Sequence, residues 1–131
     1  MESFHWPTFL LIVLLTIIVV LIIYSRKEVK KNIQFLDEEG LAAIMRKGQL
    51  IDIRKRDEFE QGHINGSRNI PFAMLTKSMS KLRSDQPIYI VAANDKQSKR
   101  AATLLLSKHF TNIFALKGGI EAWSKPLKSK K

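Results

Sequence analysis

Residues 9–23 contain fourteen Leu, Ile, Val or Phe and one polar side chain, Thr16. No other feature limits the fold so much, because so apolar a stretch has to leave water. At ~0.3–0.6 kcal/mol each at mid-bilayer, these side chains favour insertion by roughly 4–8 kcal/mol, with less from those near the ends. Trp6 and Tyr24 bracket the run, as amphipathic aromatics do at the headgroup layer. The segment between them approaches the ~20 residues of a bilayer span. A cleaved leader carries positive charge before its apolar stretch and small residues after it. Here the order is reversed: Glu2 precedes the run, and Arg26, Lys27, Lys30 and Lys31 follow it. A buried core helix is a third option, but a β-branched run with a basic stop fits it poorly. The sequence predicts an uncleaved single-span anchor over 1–24 and a basic juxtamembrane linker over 25–32. By the same charge asymmetry, the N-terminus lies outside the cell membrane and the rest of the chain in the cytoplasm.

Beyond residue 24 lie all 22 Lys and Arg of the 131-residue chain but only 11 of its 12 acids, a net charge of +11. The chain has no cysteine. That excludes a disulfide framework, a thiolate metal site, a thiol nucleophile and a persulfide carrier within it. Strands and helices alternate along this part. Residues 33–36 read as a short strand. Asp37 is a good N-cap, Glu38 and Glu39 suit a first turn, and Leu41, Ile44 and Met45 form an apolar stripe ending at Gly48. Another apolar run covers 50–53, and 57–61 makes a helical turn or two before Gly62. A strand end is halted by Pro71, and 72–82 has weak helical spacing. Residues 88–92 form an unbroken apolar run after Pro87, as in a central strand covered on both faces. A buried helix over 98–109, a strand over 112–116 and a short helix holding Trp123 complete the series. Such alternation predicts a parallel sheet flanked by helices. The basic tail, 126–131, is expected to fray from Lys125 onward.

Three motifs carry a family resemblance. The first is Leu50-Ile-Asp-Ile-Arg54, Asp57-Glu-Phe59, Gly62-His-Ile-Asn-Gly66 and Asn69-Ile-Pro71. The second is a strand, loop and helix over 88–91, 92–97 and 98–106. The third is Leu116-Lys-Gly-Gly-Ile-Glu-Ala-Trp123. In this order the chain resembles a rhodanese-like domain over 33–125, and the N-terminal span makes it similar to membrane-anchored members found in bacteria. The resemblance implies a five-stranded parallel sheet flanked by helices. It also implies an active loop wrapped around a cysteine that takes up sulfane sulfur as a persulfide. Inward-turned N–H groups at a helix N-terminus would form the anion site of such a loop.

The family loop reads Cys-x-x-Gly-x-Arg, then Ser-x-x-Ala-Ala. Aligning Ser98 and Ala101-Ala102 puts Ala92 at the cysteine position, Asp95 at the glycine and Gln97 at the arginine, with Ala93, Asn94 and Lys96 between. A one-residue shift puts Ala93 at the nucleophile, with the same result. Sulfur transfer needs a polarisable thiolate, and the related phosphatase reaction needs a low-pKa thiolate and a forked cation. Neither is present. Asp95 adds a carboxylate beside the loop, offset in part by Lys96, Lys99 and Arg100. Because Asp tolerates left-handed backbone angles, the loop is expected to keep its shape without its chemistry.

The other conspicuous residues read as structural. Asp52 at a strand end satisfies loop N–H groups, and Arg54 is expected to pair with Glu58. His63 reads as a hydrogen-bonded structural histidine, and Gly66 belongs to the same turn motif. Gly118 and Gly119 read as tight packing beside the loop mouth. His5 and His109 lack companions for a metal site, and no cofactor is expected. The positive charge has no aromatic platforms or known module for nucleic acid. It suits the anionic inner leaflet or an acidic protein partner. The resulting expectation is a membrane-anchored, catalytically silent domain serving as a binding or regulatory module. Its partner is an unidentified protein, with a small anion in the loop. The rivals are a sulfurtransferase using a thiol supplied in trans and a purely structural tether.

Overall fold

The computed structural model describes residues 3–31 and 33–129. They divide into two compact units, with the first ending at Lys31. The first is a single helix, α1 (Trp6–Lys31). Its stretch Trp6–Arg26 is long and apolar enough to cross a membrane, and none of that stretch is buried. The hydroxyl of Thr16, the one polar side chain of the run, donates to the Ile12 carbonyl at 2.8 Å. This satisfies it within the helix. Residues 25–31, expected as a linker, are helical instead. Once nucleated, a long helix adds a backbone hydrogen bond with each further residue, and nothing in Arg-Lys-Glu-Val-Lys-Lys breaks it. Asn32 lies outside the described residues.

The second unit contains β1 (Ile33–Leu36), α2 (Glu38–Ile44), β2 (Gln49–Asp52), α3 (Arg56–Gln61) and β3 (Arg68–Asn69). It continues with α4 (Leu75–Ser78), β4 (Ile88–Val91), α5 (Asp95–Ser107) and β5 (Ile113–Leu116). The five strands form one sheet in the order β1-β5-β4-β2-β3, and every pairing is parallel. This is the expected architecture. The centre of the sheet is β4, hydrogen-bonded to β2 and β5, with all four residues buried. Its side chains alternate between two cores, as period-two geometry requires. Ile88 and Ile90 join Leu75, Ala102 and Leu105 on one face. Tyr89 and Val91 join Leu41, Leu116 and Trp123 on the other.

Local signals set the helix starts. The Asp37 carboxylate accepts from Gly40 N–H at 2.7 Å and caps α2. In α5 the Asn94 side chain accepts from Gln97 N–H at 2.9 Å. The helix thus begins at Asp95, three residues before the expected start at Ser98. Residues 72–82 break into two 3-10 turns around α4, in keeping with their weak periodicity.

The tail was misjudged. Glu38 accepts from Ser124 N–H at 2.6 Å and Lys125 N–H at 2.9 Å, and the Ser124 hydroxyl also donates to it. Lys128 and His63 exchange backbone hydrogen bonds of 2.8 and 2.9 Å as an antiparallel bridge. Backbone groups that find partners this way resist fraying. Residues 125–129 are docked, while residues 130 and 131 of the expected frayed tail lie outside the described residues.

Candidate functional site

Parallel sheets place their functional loops at the carboxyl ends of the strands. β4 ends at Val91, and the chain turns through Ala92, Ala93 and Asn94 into α5. Ala92 is fully buried. Its carbonyl accepts from Ile120 N–H at 2.8 Å. Gly119 lies directly against this turn. A Cβ on it would sit 2.5 Å from the Ala93 oxygen and 2.7 Å from the Ala92 oxygen, and its φ of +71° suits glycine. Gly118, at φ +82°, donates its N–H to the Asp95 carboxylate at 2.7 Å. The double-glycine turn is therefore a packing and hydrogen-bonding partner of the loop.

Two N–H groups in the first turn of α5 already have partners. Gln97 N–H is taken by the Asn94 side chain, and Ser98 N–H donates to the Asn94 carbonyl at 3.2 Å. The Asp95 carboxylate holds Gly118 and adds negative charge at the first turn of α5, where the helix dipole favours it. Asp95 is not left-handed as anticipated. It is the first residue of α5, and among the described residues His109 is the one non-glycine with positive φ. A residue in the first turn of a helix needs no left-handed backbone angle. Lys96 and Gln97 are exposed, whereas Ser98 is fully buried and its hydroxyl has no partner.

The first motif builds a buried ion pair. Arg54 Nη2 lies 2.8 Å from Asp52 Oδ2, with the two side chains 8% and 0% exposed. Arg54 also donates to the Gly62 carbonyl, and Asp52 accepts from Arg54 N–H at 3.0 Å. The expected pairing of Arg54 with Glu58 is thereby corrected. A guanidinium this buried goes to the buried carboxylate two residues away, and Glu58 remains exposed. Asn69 locks the strand ends by donating to the Asp52 and Arg54 carbonyls at 3.0 Å each. His63 Nδ1 is 2.7 Å from the Phe59 carbonyl, and its ring stacks on Phe59 at 3.8 Å. Gly66 turns the chain at φ +90°. Trp123 is buried in the second core, with its indole N–H unpartnered.

A cavity of about 270 Å³ opens beside the loop, lined by the apolar Ile53, Pro71, Phe72, Ala73 and Ala93 and by the polar Arg54, Lys55, Glu58, Gln97 and Arg100. From the sequence Arg100 is expected only as a charge offsetting Asp95, and Phe72 is not expected in the site. The Arg100 guanidinium stands 4.9 Å from the Phe72 ring centroid. The missed signal was helical spacing, since Arg100 is three residues after Gln97 and shares its side of α5. Among the described residues, no group of three His, Asp or Glu is placed to hold a metal.

A parallel sheet with a buried strand-end ion pair and a short strand-to-helix loop at its carboxyl edge defines a class of domain. Residues 37–126 match the Rhodanese-like domain family. The chain is 45% identical over 96 residues to the uncharacterized protein YqhL of Bacillus subtilis (strain 168), covering 73% of this chain and 76% of that one. It is 28% identical to the thiosulfate sulfurtransferase GlpE of Pseudoalteromonas translucida (strain TAC 125), covering 76% and 89%. The crystal structure of the Alr3790 protein from Anabaena sp. superposes with a TM-score of 0.66 at 28% identity, covering 72% of this chain and 81% of that one. The chain belongs to the rhodanese-like domain family, and it contains no cysteine.

Proposed function

We propose that this protein is a membrane-tethered, catalytically inactive rhodanese-like domain acting as a binding or regulatory module. One observation carries the proposal. The turn that would present the family's cysteine holds Ala92, fully buried and hydrogen-bonded to Ile120. No other residue type in the chain can form a persulfide. The side-chain oxygens of Asn94 and Asp95 take up the N–H groups of Gln97 and Gly118, and Asp95 adds a negative charge beside the loop, which disfavours an anionic substrate. The apolar stretch Trp6–Arg26 supports the tether. The basic residues that follow it support an N-terminus outside and a domain in the cytoplasm. Purified full-length protein incubated with thiosulfate and cyanide is expected to form no thiocyanate above a heat-killed control. Repeating the assay with dithiothreitol in place of cyanide, read as sulfide release, tests transfer through a thiol supplied in trans: the thiol takes the outer sulfur of thiosulfate as sulfite leaves, and ring closure to the cyclic disulfide expels sulfide. Catalytic thiocyanate formation in the first arm, or catalytic sulfide release in the second, defeats the proposal.

A further inference from the structure

The exposed side of α5 carries Lys96, Lys99 and Arg100. Among the described residues none of the three pairs with a carboxylate. The one acid on the helix, Asp95, is turned to Gly118. Aromatic rings hold two of the cations in place. Lys99 Nζ lies 5.8 Å from the Phe35 ring centroid, and Arg100 stands over Phe72. Such contacts orient a cation without neutralising it. Two hollows share Arg100 and Phe72 as a common wall. One is the 270 Å³ recess beside the loop, and the other is an open groove of about 540 Å³ running along Lys96, Lys99 and Thr103.

We infer that this face docks an acidic segment of a partner protein. Carboxylates of the segment meet Lys96, Lys99 and Arg100, and one apolar side chain enters the recess over Ile53, Pro71 and Phe72. Charge complementarity selects the sign of the partner, since the chain beyond residue 24 has twice as many basic as acidic residues. The recess selects a polypeptide over a bilayer surface, because a projecting side chain can fill it and a plane of headgroups cannot. The inference rests on the domain being a binding module, and it names that module's partner class.

The test places the full chain in phosphatidylcholine nanodiscs and titrates it with a fluorescein-labelled short peptide of Asp and Glu carrying one central Leu, read by anisotropy. Lys96→Glu/Lys99→Glu/Arg100→Glu is expected to weaken binding by about tenfold or more, and raised salt to weaken the parent similarly. Lys77→Glu/Lys81→Glu/Lys108→Glu, an equal charge change at exposed sites elsewhere, is expected to cost less than about twofold. Ala73→Trp, at an exposed rim position of the recess, is expected to weaken the Leu peptide about threefold and to spare a peptide with Ser in its place. That variant reads the same face without altering α5. Equal losses in the two charge-reversal variants, or no binding by the parent, overturn the inference. So does capture of phosphatidylserine vesicles through Lys96, Lys99 and Arg100 without peptide binding, which assigns the face to lipid. Thiocyanate formation overturns the module reading itself, whereas a silent assay with failed docking overturns this site alone.

Discussion

Asp52 and Arg54 illustrate how a charged residue survives inside a small domain. Neither could be buried alone, because an ion without a partner in a low-dielectric interior costs several kcal/mol. Together they satisfy each other at 2.8 Å, and Arg54 spends a further N–H on Gly62. Asp52→Ala is expected to destabilise the domain by ~3–5 kcal/mol, measured by urea denaturation, because it strands the guanidinium. A loss below 1 kcal/mol, roughly the worth of an exposed pair, would mean that Arg54 escapes to water. Ala92 poses the opposite problem. A thiol introduced there lies in a fully buried position, which opposes thiolate formation. Ala92→Cys is expected to react slowly with an aromatic disulfide reagent and to form no thiocyanate. Rapid labelling would show that the loop opens. The motif residues themselves were legible, but the Arg54 partner was not. Asp52 and Glu58 are both near in sequence, and burial chose between them.

At the scale of elements, the strands and helices were readable because their signals are local. Asp37 announces α2, and the unbroken apolar run after Pro87 announces β4. The start of α5 lies three residues before the apolar periodicity begins, because the Asn94 side chain caps the helix from what reads as loop. The C-terminal strap was not readable at all. Its clamp joins Glu38 to Ser124, 86 residues apart. The Ser124 hydroxyl, followed by the backbone N–H groups of Ser124 and Lys125, holds the Glu38 carboxyl below its ordinary value of 4.5. A depressed carboxyl pKa stabilises the docked strap above the unfolded value, and that stability is lost as pH falls through the folded one. The strap is therefore expected to loosen only below about pH 4.5. The Ser124 and Lys125 amide resonances should titrate with a midpoint under that value and stop titrating in Glu38→Gln. A midpoint near neutrality would assign the transition to another group.

For the whole molecule, an apolar helix and an α/β domain follow one another in sequence, and the proposed orientation across a membrane rests on charge. Because the chain has no cysteine, single introduced thiols report topology without background. Ser3→Cys is expected to react with an impermeant maleimide on intact cells expressing the protein, and Ser80→Cys, also exposed, only after permeabilisation. The reverse pattern would invert the topology. Composition and hydropathy determined, unaided, the apolar run, the alternating α/β character and the want of a sulfur nucleophile. These properties belong to residues and their near neighbours. Tertiary structure alone decided that Asp95 reaches Gly118 across 23 residues and that Arg100 shares a cavity with Phe72. Those contacts exist because the parallel sheet brings distant strand ends to one edge, and neither hydropathy nor spacing encodes which side chains meet there.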